Sequence, residues 1–275
     1  MEAFEEDLPA TVAKAAKCDR LSVMIAPHAP YSCSEGNLRR AAELSEEYGL
    51  PITIHLAETH DEERQIRERY GCSPVEMIDG FGLLKEGTIA AHCVHLSDSD
   101  RRTLLERGVS VAHNPQSNMK ISSGVAPVAE QLEEGVCVTL ATDGSSSNND
   151  LDLWEEMRSA AFLQKVTTMN PLRLPAYEVL KMATVNGARA MGHEGELGVI
   201  REGALADLVV IDLEKPHLQP VHDLVSDLVY CGKASDVEMV IVDGRVVVEN
   251  RTIIGLDLKA LYRKVNEAVN RIVES

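Results

Sequence analysis

Five short runs of almost continuous apolar residues recur through the first half of the chain. Strands covered on both faces have this pattern, because neither face meets water. Amphipathic patterns typical of helices lie between the runs, for example residues 34–48 and 97–107, which begin at Ser34 and Ser97 as candidate caps. Such alternation predicts βα units around a parallel sheet. The five predicted strands are Leu21–Ala26, Pro51–Leu56, Thr88–Cys93, Val109–His113 and Val136–Ala141.

The pattern changes after about residue 194. Runs rich in β-branched residues now follow one another without a helical pattern between them, and Asp243-Gly244 between two such runs indicates a tight hairpin. A final amphipathic segment, Asp257–Val273, predicts a helix. We therefore predict three parts, which are a βα-repeat domain over residues 1–194, a small β-rich appendage over residues 195–256 and a C-terminal helix over residues 257–275.

Charge and cysteine content limit the partners and the compartment. The chain has 27 Lys and Arg against 44 Asp and Glu, a net charge of −17 without a basic stripe, so we expect neither nucleic acid nor an anionic membrane as partner. It has no signal-peptide core and no apolar stretch of about eighteen residues, so we expect neither secretion nor a membrane span. The six cysteines are scattered without a Cys-x-x-Cys pair, which favours free thiols and a cytoplasmic location.

Each predicted strand ends close to a polar residue. The carboxyl ends of parallel strands face the ligand in βα architectures, so these residues are candidates for a functional site. A single histidine in such a place is more often a hydrogen-bonded core residue, but five successive strands that end in this way favour a site. The residues, in chain order, are His28, His55, Glu58, His92, His95, His113 and Asp143.

His55, Glu58 and Asp143 have the strongest chemical signal. A histidine and a glutamate three residues apart at a strand end can place an imidazole on a metal ion and a carboxylate beside the substrate, as metal-assisted hydrolysis requires. Asp143 closes an apolar run, where an ionised carboxylate needs a cation or several hydrogen-bond donors. We therefore predict a metal site, and zinc, iron and manganese all accept such ligands.

The same motifs resemble the amidohydrolase superfamily, and within it the methylthioadenosine and S-adenosylhomocysteine deaminases, a group that includes 5′-deoxyadenosine deaminases. The matching motifs span more than half of the chain, and residues 202–212 resemble the return of the family's composite β-domain. The motifs are Ala26–Ser34, Thr53–Thr59, Gly87–His95, His113–Lys120 and Thr142–Asn149.

The resemblance implies a mixed α/β fold in which the five strands are strands 4–8 of a TIM-type (β/α)8 barrel, followed by part of the β-domain and a helix. It implies one Zn²⁺ per site, with Fe²⁺ or Mn²⁺ as alternatives, held by His55 and Asp143. Asp143 would also take a proton from the attacking water, and Glu58 would protonate a purine ring nitrogen. His92 would orient the attacking water, and His28 would contact the sugar of the substrate.

The implied reaction is hydrolytic deamination of an adenine nucleoside modified at the 5′ position, such as 5′-deoxyadenosine, methylthioadenosine or S-adenosylhomocysteine. Its products are the inosine analogue and ammonia. One alternative is another heterocyclic aminohydrolase that acts on guanine or a triazine. Another is a truncated, non-catalytic scaffold or subunit.

The chain departs from the family pattern because full members have a His-x-His pair on the first barrel strand, and none occurs in its 275 residues. Five strands would leave an open barrel with exposed edges. We therefore expect a fragment or late-start gene model, one half of a split enzyme, or an inactive remnant. The expected partner is a second copy of the chain or a complementing N-terminal half.

The remaining polar candidates have weaker signals. Five residues near the strand ends are predicted either to contact the substrate or to support the residues that do, namely His95, His113, Asn114, Ser117 and Asn148. Four other histidines are predicted to have no role in the site, namely His60, His193, His217 and His222.

Overall fold

The structure is a computed structural model that describes residues 2–273. Met1, Glu274 and Ser275, which belong to the first and third predicted parts, lie outside the described residues. Strands form two separate sheets. The strands are β1 (Thr53–Leu56), β2 (Ile89–His92), β3 (Ser110–His113), β4 (Cys137–Leu140), β5 (Leu208–Ile211), β6 (Val237–Val242), β7 (Arg245–Glu249) and β8 (Thr252–Ile253).

Helices connect and cover these strands. The α-helices are α1 (Glu2–Ala15), α2 (Glu35–Tyr48), α3 (His60–Tyr70), α4 (Pro74–Gly80), α5 (Asp98–Glu106), α6 (Pro115–Lys120), α7 (Val128–Glu134), α8 (Leu153–Thr168), α9 (Ala176–Met182), α10 (Val185–Ala190), α11 (Leu224–Tyr230) and α12 (Leu258–Val273). The predicted caps are confirmed, because Ser34 and Ser97 accept hydrogen bonds from the first turns of α2 and α5.

The first sheet is parallel and has the order β1-β2-β3-β4. Helices α3 and α4 connect β1 to β2, helix α5 connects β2 to β3, and helices α6 and α7 connect β3 to β4. The predicted βα units and four of the five predicted strands are thereby confirmed. Because all four strands run in the same direction, their carboxyl ends lie at one edge of the sheet.

The predicted strand Leu21–Ala26 was wrong as a full strand. Only Ile25 pairs, through an isolated parallel bridge to Ile52. Its N–H donates to the carbonyl of Pro51, and its own carbonyl accepts from the N–H of Thr53, both at 2.9 Å. The segment lies along the outer side of β1, where it has hydrogen-bond partners on one side within the described chain, and Leu21 at its start is 55% exposed. The apolar run alone did not reveal this edge position.

The two faces of the parallel sheet have different environments. One face packs on the surrounding helices, and its Ile54, Val111 and Val138 are at most 2% exposed. The other face carries Thr53 and Ala91, which are half-buried and line a cleft of about 430 Å³ that extends to the carboxyl ends of the strands. The hydrophobic core therefore lies on the helix-covered side of the sheet.

The second sheet is antiparallel, with the order β5-β6-β7-β8. The predicted hairpin is confirmed, since Asp243 and Gly244 join β6 to β7 with φ values of 51° and 71°. Two successive positive φ values are typical of a two-residue type I′ turn. The predicted C-terminal helix is confirmed as α12, which has no buried residue among those described.

Two features of the described residues bear on the expectations from composition. None of the described helices is both long enough and apolar enough to cross a bilayer. All six cysteines, Cys18, Cys33, Cys72, Cys93, Cys137 and Cys231, are free thiols.

The two faces of β1 give the first testable prediction. Ile54→Ala should lower the free energy of unfolding by about 2–5 kcal/mol, because it leaves a cavity in the helix-covered core. Thr53→Ala, the matched control on the cleft face of the same strand, should change it by less than about 1 kcal/mol. Urea denaturation followed by circular dichroism measures both values, and equal losses would contradict the assignment of the core to one face.

Candidate metal and catalytic site

Three side chains from separate strand ends converge at the carboxyl edge of the parallel sheet. His55 lies on β1, His92 ends β2, and Asp143 follows β4. One ligand atom from each of the three residues lies within 4.8 Å of the others. Parallel register explains part of this convergence, since β1 and β2 pair with Leu56 opposite His92. The predicted metal ligands His55 and Asp143 are thus close together, and His92 lies beside them.

Unusual backbone geometry accompanies this convergence. Ala57, His92, Cys93 and Asp143 have φ values of 50°, 72°, 48° and 64°. A β-carbon disfavours the left-handed region, so non-glycine residues adopt it where the surrounding structure requires it. These residues all lie at the ends of strands, where the chain must turn sharply. The strained positions therefore coincide with the site.

A backbone carbonyl orients the ring of His55. Nδ1 of His55 lies 2.7 Å from the carbonyl oxygen of His28, which can only accept, so Nδ1 carries the proton. The same carbonyl accepts the backbone N–H of His55 at 3.0 Å. Nε2 of neutral His55 is consequently the unprotonated ring nitrogen, as a metal ligand must be. The predicted residue His28 is itself exposed and hydrogen-bonds Ser32 through Nδ1 at 2.5 Å.

His92 is held from a different element. Its side chain is 1% exposed, and its Nδ1 lies 2.8 Å from Oδ1 of Asn118 on α6. With Nδ1–H donating to that amide oxygen, Nε2 points toward Glu58, whose Oε1 is 3.7 Å away. The imidazole also stacks on that of His55, with ring centroids 5.5 Å apart. Sequence analysis did not single out Asn118, although it belongs to the motif that follows β3.

Two hydroxyl groups stabilise the carboxylate of Asp143. Ser117 and Ser147 both donate to its Oδ2, at 2.7 Å and 2.5 Å. Burial acts to raise the pKa of Asp143, but the hydrogen bonds from Ser147 and Ser117 outweigh it and hold the pKa below its usual value. Asp143 is therefore an anion at neutral pH. Ser117 was predicted either to contact the substrate or to support the residues that do, whereas Ser147 was missed.

This donor set fits a transition metal ion. Two neutral imidazoles whose Nδ1 atoms are engaged elsewhere, together with an ionised carboxylate, offer the nitrogen and oxygen donors that zinc accepts. Iron and manganese accept the same atoms. Each of the three side chains is also held by hydrogen bonds with neighbouring groups, and such bonds usually orient the ligands of a metal ion.

The remaining candidates lie around this cluster. Glu58 follows β1, and its side chain is 13% exposed. Tyr31, which sequence analysis did not identify, packs edge-on against His28 with ring centroids 6.0 Å apart. The pKa of Tyr31 is raised by partial burial and by the charges of Glu58 and Glu62. His28, Glu58 and Tyr31 thus border the candidate metal cluster of His55, His92 and Asp143.

Two other predicted histidines are placed differently. His113 is fully buried, and burial together with His92 lowers its pKa to about 3, so it remains neutral. His95 bonds the carbonyl of Ser123 through Nε2 at 2.8 Å, and its ring contacts that of His60 with centroids 3.8 Å apart. The converging cluster of His55, His92 and Asp143 includes neither of them.

A buried glutamate connects the turns that follow β3 and β4. Glu156 on α8 is 0% exposed and accepts hydrogen bonds from the backbone N–H of Gln116 at 3.1 Å and from Nδ2 of Asn148. Burial raises the pKa of Glu156 to about 7, although these hydrogen bonds act to lower it. Asn148, a predicted candidate, therefore supports the turn that carries Asp143.

The chain is similar to proteins of one known family. Residues 3–247 match the sequence model of the amidohydrolase family. A relative from Desulforamulus reducens named 5-methylthioadenosine/S-adenosylhomocysteine deaminase is 46% identical over 253 residues, which cover 92% of this chain and 58% of that protein. A relative from Methanosarcina mazei named 5'-deoxyadenosine deaminase is 46% identical over 254 residues, again 92% of this chain and 58% of that protein.

A solved structure shows the same arrangement of the chain. The structure of an adenosine deaminase from Xanthomonas campestris with bound zinc has a TM-score of 0.93 and 33% identity, and covers 98% of this chain and 62% of that one. The matched part of the chain corresponds to about 58% of the length of each of the two relatives from Desulforamulus reducens and Methanosarcina mazei.

The buried carboxyl of Glu156 gives a pH-dependent prediction. Its folded-state pKa of about 7 is above the usual 4.5, so the folded protein holds this proton more tightly than the unfolded chain does. Its contribution to stability is complete below pH 4.5 and is lost as the pH rises through 7. The loss amounts to about 3 kcal/mol at most. Relative to Glu156→Gln, the unmodified protein should lose free energy of unfolding between pH 4.5 and 8.

Urea denaturation across that pH range measures the difference between the two proteins. Glu267→Gln, an exposed position on α12, serves as the matched control and should leave the pH profile unchanged. A constant difference between the unmodified protein and Glu156→Gln at all pH values would refute the raised pKa.

Proposed function

Because the chain belongs to the amidohydrolase family, we propose that it carries out metal-dependent hydrolytic deamination of an adenine nucleoside modified at the 5′ position. The observation that carries this proposal is the convergence of His55, His92 and Asp143, with Glu58 beside His92. The names of the relatives at 46% identity support 5′-deoxyadenosine, methylthioadenosine and S-adenosylhomocysteine as the substrate class. Guanine and triazines are the alternative substrates.

The proposed architecture is an incomplete TIM-type barrel. In this proposal the segment at Ile25 and strands β1 to β4 occupy barrel positions 4 to 8, and the barrel part extends over residues 1–194. The β-rich appendage over residues 195–256 and the helix over 257–275 complete the proposed division. The parallel strand order and the cleft along one face of the sheet support this arrangement.

His55 and Asp143 are the proposed metal ligands from this chain. When bound, a zinc ion acts as a Lewis acid and lowers the pKa of a water molecule toward about 7. Fe²⁺ and Mn²⁺ are alternative ions for the same ligands.

The proposed proton transfers use two carboxyl groups in different environments. Asp143, held as an anion by its hydroxyl donors, accepts one proton from the attacking water. Glu58 gives a proton to the ring nitrogen next to the carbon under attack, while Nε2 of His92 orients the water. The amino group takes the proton from Asp143 and leaves as ammonia when the carbon–nitrogen bond breaks. The proton of the new hydroxyl group returns to Glu58, and the inosine analogue is released.

Substrate binding and partners complete the proposal. His28 contacts the sugar of the nucleoside, because its exposed ring borders the cluster at 4.9 Å from that of His55. A His-x-His pair supplied by a complementing N-terminal segment adds two metal ligands, and a second copy of the chain is the alternative partner. The free state of all six cysteines supports a cytoplasmic location.

The proposed role of Glu58 leads to a direct test. Glu58→Gln should lower kcat/KM at least about 100-fold, because the amide cannot exchange a proton with the ring nitrogen, while the bound zinc per chain stays the same. Glu68→Gln, exposed on α3, is the matched control and should keep full turnover. Ultraviolet absorbance and ammonia release report the reaction. Equal activity of Glu58→Gln and the unmodified protein would exclude the mechanism.

The assay uses a panel of 5′-deoxyadenosine, methylthioadenosine, S-adenosylhomocysteine, adenosine, guanine and melamine. Each is offered to the chain alone and to the chain co-expressed with the part of the Desulforamulus reducens relative that it does not match. Turnover of the three 5′-modified nucleosides supports the proposal, and turnover of guanine or melamine alone supports the other aminohydrolases. No turnover in either form would support a scaffold.

A further inference from the structure

Glu62 is a buried carboxyl group directly behind the turn that carries Glu58. It is the third residue of α3, and its residue surface is 1% exposed. Its Oε1 accepts the backbone N–H of Ala57 at 3.0 Å, and its Oε2 accepts the backbone N–H of Glu58 at 2.9 Å. Both carboxyl oxygens therefore hold the two residues that follow β1.

These hydrogen bonds differ from those of an ordinary helix start in the same protein. At the start of α4, Glu76 bonds the backbone N–H of the capping residue Ser73 at 2.8 Å and is itself exposed. At the start of α3, Thr59 caps the helix by accepting the N–H of Glu62 at 3.1 Å. The carboxyl group of Glu62 reaches past Thr59 to the two preceding residues. Capping of α3 therefore does not explain why the carboxyl group of Glu62 lies against Ala57 and Glu58.

The bonded turn also reaches the loop that follows His92. Ala57 has a left-handed φ of 50°, and its carbonyl accepts the N–H groups of Val94 and His95 at 3.0 Å and 2.9 Å. The Glu62 carboxyl group thus fixes a turn whose other side holds the second site loop. Burial disfavours the charged form of this carboxyl group. It raises the pKa of Glu62 to about 7, although the hydrogen bonds from the backbone N–H groups of Glu58 and Ala57 act to lower it. Unfavourable burial of this kind is common where a site needs a fixed geometry.

We propose that Glu62 is a positioning residue that sets the direction of Glu58 toward the substrate and His92 by fixing the backbone of Ala57 and Glu58. The role in turnover rests on the proposed deaminase function, whereas the fixing of the turn does not. Glu62 lies behind the turn, and both of its carboxyl oxygens are engaged by backbone N–H groups.

Amide hydrogen exchange of the full chain tests the fixing of the turn without any activity. Glu62→Gln keeps one acceptor oxygen and places an NH₂ group against the second N–H, so exchange at Ala57 and Glu58 should become about tenfold faster. Exchange at Ile54 and Leu56 within β1 should not change. Glu76→Gln, which alters an ordinary capping box, is the matched control and should leave exchange at Ala57 and Glu58 unchanged. Unchanged exchange at these two residues in Glu62→Gln would overturn the proposal.

Kinetics test the consequence for Glu58 in whichever form of the protein deaminates its substrate. Glu62→Gln should lower kcat about 10- to 100-fold with little change in KM and unchanged zinc content, because a small misplacement of a catalytic group affects the chemical step. Unchanged kcat together with faster exchange would overturn the positioning role. If Glu62→Gln does not fold, Glu62→Asp, which shortens the side chain, takes its place in both measurements. If the unmodified protein shows no turnover, the deaminase proposal fails, and the exchange experiment still decides whether Glu62 fixes the turn.

Discussion

Hydrogen bonding between neighbouring parallel strands determines where every candidate ligand lies. The pairing continues past the strand ends, since the N–H of Cys93 donates to the carbonyl of Leu56 and the N–H of His55 to that of His28. Parallel strands lie about 4.8 Å apart, so side chains on adjacent strand ends can reach a common ion. Asp143 follows β4, two strands beyond His92, and its left-handed backbone at φ 64° helps its carboxylate to reach the other two.

Orientation of His92 and Asp143 depends on a helix that lies outside the converging cluster. Helix α6 follows β3, the strand between those of His92 and Asp143, and it provides Asn118 to His92 and Ser117 to Asp143. The amide oxygen fixes the tautomer of one imidazole, and the hydroxyl proton stabilises the charge of the carboxylate. The motif after β3 therefore completes the site through hydrogen bonds. Helix α6 follows the strand that lies between those of His92 and Asp143, which explains why such a short helix can reach both side chains.

The sequence predicted the features that depend only on residues close together in the chain. Continuous apolar runs located β1 to β4, and the strand-end rule located His55, His92 and Asp143. Partners that are close only in the folded chain were not predictable in this way, which is why Asn118 and Ser147 were missed. Glu62 and Glu156 were missed for another reason. Each is an acidic residue in the first turn of a helix, a position where acids are usually exposed, and only tertiary packing buries them.

Glu62, Glu156 and Asp143 differ in the direction in which their surroundings shift the pKa of the carboxyl group. Glu62 and Glu156 are the more deeply buried, and their pKa values of about 7 show that packing opposes their negative charge. Asp143, at the centre, receives two hydroxyl bonds that keep it ionised. In a chain with a net charge of −17, supporting acids that are partly neutral add less repulsion around a central anion. The ionised carboxylate of Asp143 therefore supplies negative charge beside the two imidazoles, where it attracts a cation.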